Sequence, residues 1–444
     1  MRNLTIYFTW LLLLFFPLAG KAQESVLKLS LKNAIEKASE NNWEINKAKE
    51  KGRAAKADYR QTNSVFLPIV NLSHTGVITN DPLASFGFKL KQKTTTQADF
   101  NPIFLNDPGR SENFNTKIEV QQPLINIDGI YGRRAANAKM QAIDFQTERT
   151  IKFTKFEVKK AYYQLELAQE AVIVLNASKK MANSALQVTK NNLDQGYVQE
   201  ADLLSAKVRV LEIDNQLSDA KNNKRRAGEY LAYLLGLDIN VIIETTDSLN
   251  KKPSLLSGLN ESFQVENRSD INAYRKGVEA RESILKSQKM QFLPRLNAFG
   301  AYEWNDDQLL GSSANNYMIG ASLSWNLFNG YKNIAKVQKA KAELKISELD
   351  FADYLSRNSM EVKSAKRDLQ VAYDKIELSR LAKEQAEEAL RIRTNRYKQG
   401  LEKTTDILYS ETISMARNLD YINSLYNYHV AVFQLELLLE KELQ

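Results

Sequence analysis

One ten-residue passage occurs twice in this chain, and it constrains the possible fold more than any other feature. Gln195 to Leu204 reads Q-G-Y-V-Q-E-A-D-L-L, and Gln399 to Leu408 reads Q-G-L-E-K-T-T-D-I-L. In each copy a glycine ends a long heptad-like helix, and an Asp six residues later precedes the apolar pair of the next helix. The same helix-turn-helix tip written twice, about two hundred residues apart, marks a tandem duplication.

The runs that lead into the tips predict unusually long helices. Asp128 to Gln195 contains no proline, and at a rise of 1.5 Å per residue it predicts a rod of roughly 100 Å. Ile151, Val158, Leu165 and Val172 fall seven apart, and Thr154, Ala161, Ala168 and Leu175 repeat the spacing three residues on. That is a coiled-coil seam with small residues on one line, where neighbouring helices can approach closely. A second rod is predicted from Tyr331 to Gln399, with Val362, Leu369 and Ile376 on one line and Ala365, Ala372, Ser379 and Ala386 on the other. Only 17 glycines and 8 prolines occur among 444 residues, which favours such uninterrupted helices over a loop-rich sandwich. Each tip is followed by a further helix, to about Leu235 and about Leu443.

Before each rod the period changes. Phe66-Leu67-Pro68 and Phe292-Leu293-Pro294 both end a helical stretch and pass into alternation. In the first half the strands are expected near Pro68 to His74 and Phe114 to Ile125, with Asp81 to Glu112 a long surface loop marked by Pro82, Pro102, Pro108 and Gly109. In the second half Leu296 to Trp304 and Tyr317 to Trp325 alternate across a shorter loop. The predicted organisation is a first repeat over residues 23–236, with its hairpin at 66–126 and tip at 195–204, and a linker over 237–267. A second repeat follows over 268–444, with its hairpin at 292–328 and tip at 399–408.

The strands carry aromatics, Tyr302, Trp304, Tyr317 and Trp325, near the ends of an apolar face, while Arg295, Asn297, Ser322, Ser324 and Asn326 occupy the other. Apolar outside, polar inside and aromatic at the rim is the pattern of a transmembrane β-barrel. The alternative is a soluble sheet covered by helices, but rods with narrow seams leave no broad apolar face to cover one. Four strands cannot close a barrel, and an open strand edge is not viable in lipid. Hairpins that enter a membrane therefore demand that several chains share one barrel.

Arg2, the apolar run Leu4 to Ala19 and Gly20-Lys21-Ala22 have the form of a secretory signal peptide over residues 1–22, cut after Ala22. Nothing later approaches the roughly 18 apolar residues of a membrane-spanning helix. The chain has no cysteine, which excludes disulfides, thiolate chemistry and a lipid-modified N-terminal Cys. Its formal charge of +8 falls to +6 when Arg2 and Lys21 leave with the leader. In an exported protein this small excess reads as a solvated helix surface and not as a nucleic-acid footprint. The two histidines, His74 and His429, lie in different elements, which disfavours a paired-His metal site. No nucleophile-base set or phosphate-cradling glycine loop stands out, so neither an enzyme nor a cofactor is expected.

Duplicated halves, a leader, two hairpins introduced by F-L-P and two tips of the form G-x5-D resemble the TolC-type outer-membrane efflux proteins along essentially the whole mature chain. The resemblance implies a mainly α fold with a β-barrel part: a homotrimer sharing one twelve-stranded barrel, continued by a coiled-coil α-helical tunnel across the periplasm. It implies a channel that passively exports small molecules such as drugs, or peptides, in partnership with a periplasmic adaptor (membrane fusion) protein and an inner-membrane pump. It also implies that the tips, turning at Gly196 and Gly400, close like an iris, with Tyr397, Asp202 and Asp406 carried over as gate residues. Two departures bear on that gate: Glu402 stands where the family can place an Arg, and Tyr409 where a further Asp can occur. Glu402 puts an Arg-based latch in doubt and leaves Lys403 as the candidate substitute. The competing reading of each Asp is helix capping alone. The competing reading of the whole chain is a periplasmic coiled-coil scaffold without a pore.

Overall fold

The computed structural model describes residues 26–249 and 267–443. The expected leader and residues 250–266 of the expected linker lie outside them. The described residues form two compact units, one from those within 26–46, 150–249 and 360–443 and the other from those within 47–149 and 267–359.

The first unit is helical. It contains α1 (Leu31–Asn41), α6 (Glu200–Leu234), α9 (Thr404–Leu439) and the tip-proximal parts of α5 (Ile127–Asp194) and α8 (Lys332–Lys398). The heptad lines are its core: Val158, Ala161, Leu165, Ala168 and Leu175 on α5 are buried, as are Val362, Ala365, Leu369 and Ile376 on α8. Burying these narrow lines, and not helix propensity, stabilises the rods. Two short strands, β1 (Val26–Leu29) and β4 (Ile242–Thr245), pair in parallel at one edge of this core, giving the mixed-composition segment after α6 its own place in the fold. Ser30 caps α1 as its sequence suggests, with the side chain accepting from the Asn33 N–H at 3.4 Å. Asp247 Oδ2 accepts from the Leu31 N–H at 2.7 Å, tying the segment after β4 to the same helix start.

The second unit is organised by a four-stranded antiparallel sheet in the order β2 (Ile69–Thr79), β3 (Ser111–Ile125), β5 (Arg295–Asp306), β6 (Ala314–Ser324). The two halves of the chain meet where β3 pairs with β5, leaving β2 and β6 as edges. α2 (Trp43–Gln61), α7 (Ser269–Met290) and the sheet-proximal parts of α5 and α8 complete the unit.

One expectation fails here. The stretch read as a surface loop contains α3 (Pro82–Lys91), a 3-10 turn at Gln97–Phe100 and α4 (Pro102–Asn106). The prolines that read as loop markers are helix starts. Asp81 caps α3 by accepting from the Ala84 N–H at 2.8 Å with Pro82 next to it, and Asn101 caps α4 from the Ile103 N–H at 3.0 Å with Pro102 next. Proline in the first helical turn behind an Asp or Asn is a start signal, because its missing N–H has no helical acceptor there.

Candidate functional site

Both tips are built on one backbone motif. α5 and α8 end in glycines at φ +77° and +74°, Gly196 and Gly400. The N–H of the next residue returns to the helix, Tyr197 to Asn192 O at 2.8 Å and Leu401 to Arg396 O at 2.9 Å. This Schellman arrangement satisfies carbonyls the helix end would otherwise leave free, and its left-handed residue penalises any Cβ.

Side chains make the tips unlike. In the first, Asp202 lies in the first turn of α6, and its Oδ2 accepts from the Gln199 N–H at 3.1 Å. Gln199 is thus the cap, and Asp202 is its reciprocal partner three residues on. Asp406 holds the equivalent place in α9, behind Lys403 as the cap residue. The helices therefore start before the two Asp residues and not after them.

The second tip is tied further. Tyr397 is only 3% exposed, packed with Leu390 and Ile407. Its hydroxyl lies 2.6 Å from Thr189 Oγ1 on α5 and 3.1 Å from Thr404 Oγ1 on α9, joining three helices of one chain. Glu402 accepts from Arg393 at 3.0 Å and from Arg396 at 2.9 Å, both on the last turns of α8. An arginine contribution is therefore present with its polarity reversed: the carboxylate sits in the turn and the guanidinium groups at the helix C-terminus, where positive charge is favoured. A cavity of about 270 Å³ opens behind Tyr397, lined by Met181, Val188, Leu390 and Leu408 among others.

Two buried features of the helical unit had no marker in the sequence. Between α6 and α9, Arg209 Nε donates to Glu411 at 2.7 Å with both side chains nearly solvent-free. Glu166 on α5 is 3% exposed, and its Oε2 has no partner among the described residues. Burial pushes its carboxyl up to about 7, with the Leu249 N–H pulling it back and the charges of Asp247 and Glu170 adding to the rise. Nearby His429 stacks on Tyr163 at 4.4 Å, and burial lowers its pKa. A buried Glu in a helix has the same letter as a solvated one, so only packing could reveal it.

The sheet presents two chemically distinct faces. Register puts Val70, Leu72, Ile118, Val120, Tyr302, Tyr317, Ile319 and Leu323 on one face, and Leu72, Tyr317 and Ile319 are 72%, 77% and 81% exposed. The other face carries Asn113, Asn115, Lys117, Glu119, Glu303, Asn305 and Ser322. Tyr302 pairs directly with Tyr317, and its ring meets Trp304 edge-on at 4.7 Å, toward the β5–β6 turn. Trp325 lies just past the other end of β6, its Nε1 donating to Phe292 O at 2.9 Å. The four aromatics thus mark opposite ends of the strands. An exposed apolar face this continuous is unsuited to water. Among the described residues no helix is long and apolar enough to cross a membrane, and no cluster of potential metal ligands occurs.

The family model for outer membrane efflux proteins matches residues 34–237 and 264–440. The chain belongs to that family. A curated relative, the alkaline protease secretion protein AprF of Pseudomonas aeruginosa, is 20% identical over 269 residues, 59% of this chain and 55% of AprF. The chain thus spans about half the length of that relative. Among solved structures, the Campylobacter jejuni CmeC outer membrane channel aligns with a TM-score of 0.81 at 16% identity, over 93% of this chain and 86% of that one. The outer membrane protein VceC of Vibrio cholerae aligns at 0.78 with 18% identity, over 93% and 97%. These two outer-membrane structures share the fold, a helical tunnel with a β-barrel part. The family places this chain in the outer membrane, in keeping with its apolar strand face.

Proposed function

We propose that the chain is a passive exit duct: three copies close the four-stranded sheets into one twelve-stranded barrel, and the helical unit extends the bore into the periplasm. The observation that carries the reading is the pair of open edges on a sheet whose one face is apolar and exposed. Unpaired N–H and C=O groups along β2 and β6 are too costly in hydrocarbon, so each edge needs a neighbouring copy. The cargo is small molecules, including drugs, or peptides. A periplasmic adaptor and an inner-membrane pump supply the energy. The curated match to a protease secretion protein keeps polypeptide cargo in view beside small molecules.

The tips form the gated end. Tyr397 and the Glu402 pairs hold the second tip against its own chain, and three copies bring Asp202 and Asp406 together as an acidic ring that favours cations. The test of the duct is the purified protein in detergent and in a planar bilayer. A trimer with discrete conductance is expected, whereas recovery as a soluble monomer sinks the proposal. For the ring, Asp202→Asn with Asp406→Asn is expected to weaken cation preference. Unchanged selectivity would leave the two Asp residues as helix-start residues alone.

A further inference from the structure

The hairpin insert between β2 and β3 is seated on the polar face of the sheet. Asn316 Nδ2 donates to Lys91 O at 3.2 Å, and Lys91 Nζ lies 3.4 Å from Glu303. Gln92 Nε2 donates to Glu112 O at 2.9 Å and to Asn113 Oδ1 at 3.0 Å. Beneath it, Asn113 and Asn115 both donate to Asn305 Oδ1, at 3.1 and 2.9 Å, and Asn115 also donates to Glu303. Asn305 and Asn113 are buried under this seat, as is Ser85 of α3. Two amides that share Asn305 Oδ1 as acceptor fix its orientation, because a shift would break both bonds, while Asn305 Nδ2 has no partner among the described residues. The rest of the insert is clamped on itself: Lys89 and Thr96 bond Asp99 and hold its carboxyl down at about 2.

The insert also carries large apolar side chains that the described residues leave exposed. Leu83 is 85% exposed and Ile103 73%, and Phe100 and Phe104 are also exposed. Lipid meets the opposite face of the sheet, since a closed barrel turns its apolar side outward and its polar side to the bore. The apolar cap of the insert is therefore on the bore side.

We propose that this cap mates with the same surface of the other copies, so that the inserts close the outer mouth of the bore as an apolar plug. Resting on the trimeric duct reading, the proposal assigns the surface to one occupant, a second copy of this chain. Closure of the barrel across the β2 and β6 edges carries every insert to the rim of a common bore, and apolar surfaces at such a place are removed from water only against each other. The mouth is then shut separately from the tips.

The absence of cysteine from the chain gives a direct test. Full-length Ile103→Cys and Leu83→Cys proteins, purified and oxidised, are expected to give disulfide-linked dimers, one pair per trimer. Lys51→Cys, exposed on α2, should give none. In a Tyr397→Ala parent, whose second tip is released, replacing Leu83, Ile103 and Phe104 together by Asn is expected to raise single-channel conductance severalfold over that parent while the trimer persists. A trimer by mass measurement whose Cys variants stay unlinked and whose triple variant conducts like the parent overturns the plug and leaves the duct standing. Failure to form trimers overturns the duct and the plug with it. Quenching of a fluorophore on Ile103→Cys by brominated lipid would show that lipid covers the surface, which also overturns the plug.

Discussion

The two tips share a backbone and differ in what holds them. Each turns through a left-handed glycine, and each places an Asp in the first turn of the following helix. Among the described residues the first tip's own turn adds the bond between Gln199 and Asp202, with Tyr197 77% exposed, and its helix supplies Thr189 to the Tyr397 bridge. The second adds a buried tyrosine bridging three helices and a carboxylate shared by two arginines. Duplication thus supplied one turn twice, and the side chains made one copy a loose hairpin and the other a tethered one. Local opening should be cheaper at the first tip, because fewer buried contacts have to break.

The largest test of that contrast is Tyr397→Ala. Emptying the site behind Leu390 and Ile407 is expected to cost about 3 kcal/mol of local stability. Hydrogen exchange in peptides spanning residues 390–410 should accelerate to match the first tip. Equal protection in variant and parent would break the comparison. Tyr397→Phe keeps the ring and loses only the hydroxyl bonds, with about 1 kcal/mol expected.

Next in size is a pH effect on the body of α5, which separates global stability from the tips. Glu166 has its carboxyl at about 7 in the fold against an ordinary 4.5, so the folded state holds the proton more tightly than the unfolded one. Its contribution is fully favourable below the ordinary value and is lost as pH rises through about 7. Glu166→Gln should therefore stabilise the detergent-solubilised protein by about 2 kcal/mol at pH 8 and leave it unchanged at pH 4. Melting curves of both proteins across that range check the sign, and exchange at the two tips should not change.

Gly196→Ala and Gly400→Ala are each expected to cost about 1 kcal/mol of local stability, since both glycines sit where a Cβ is penalised. Equal costs would show that the shared backbone contributes alike to both tips, while a much larger cost at Gly400 would mean that the tethers strain the turn. The smallest effect belongs to Glu402→Gln. Its arginine partners are partly solvated, so about 0.5 kcal/mol is expected, fading as salt rises. Exchange at low and high ionic strength measures it.

Much of this was legible in the letters. The heptad lines on α5 and α8 named mostly buried residues, with Ile151, Val172, Ala372 and Ser379 half-buried, because a helix that must bury a narrow stripe repeats it every turn or two. Tip glycines were legible because only glycine takes the left-handed turn without strain. The strand faces followed from a period of two. α3 and α4 were also encoded, in Asp81-Pro82 and Asn101-Pro102, but their prolines read as punctuation because so short a helix has no period to reveal it.

What the sequence determined by itself are the properties carried by neighbours a few residues apart: duplication, period, turn and the polarity of each face. Tertiary structure alone decided which distant groups meet. Tyr397 finds Thr189 across 208 residues, Arg209 finds Glu411 across 202, and the insert's Gln92 finds a buried amide network on the strands. Burial and hydrogen-bond partnership depend on where helices and strands are brought together, and that placement sets the charge state of Glu166, the polarity of the arginine pairs at the second tip and the face on which the insert rests.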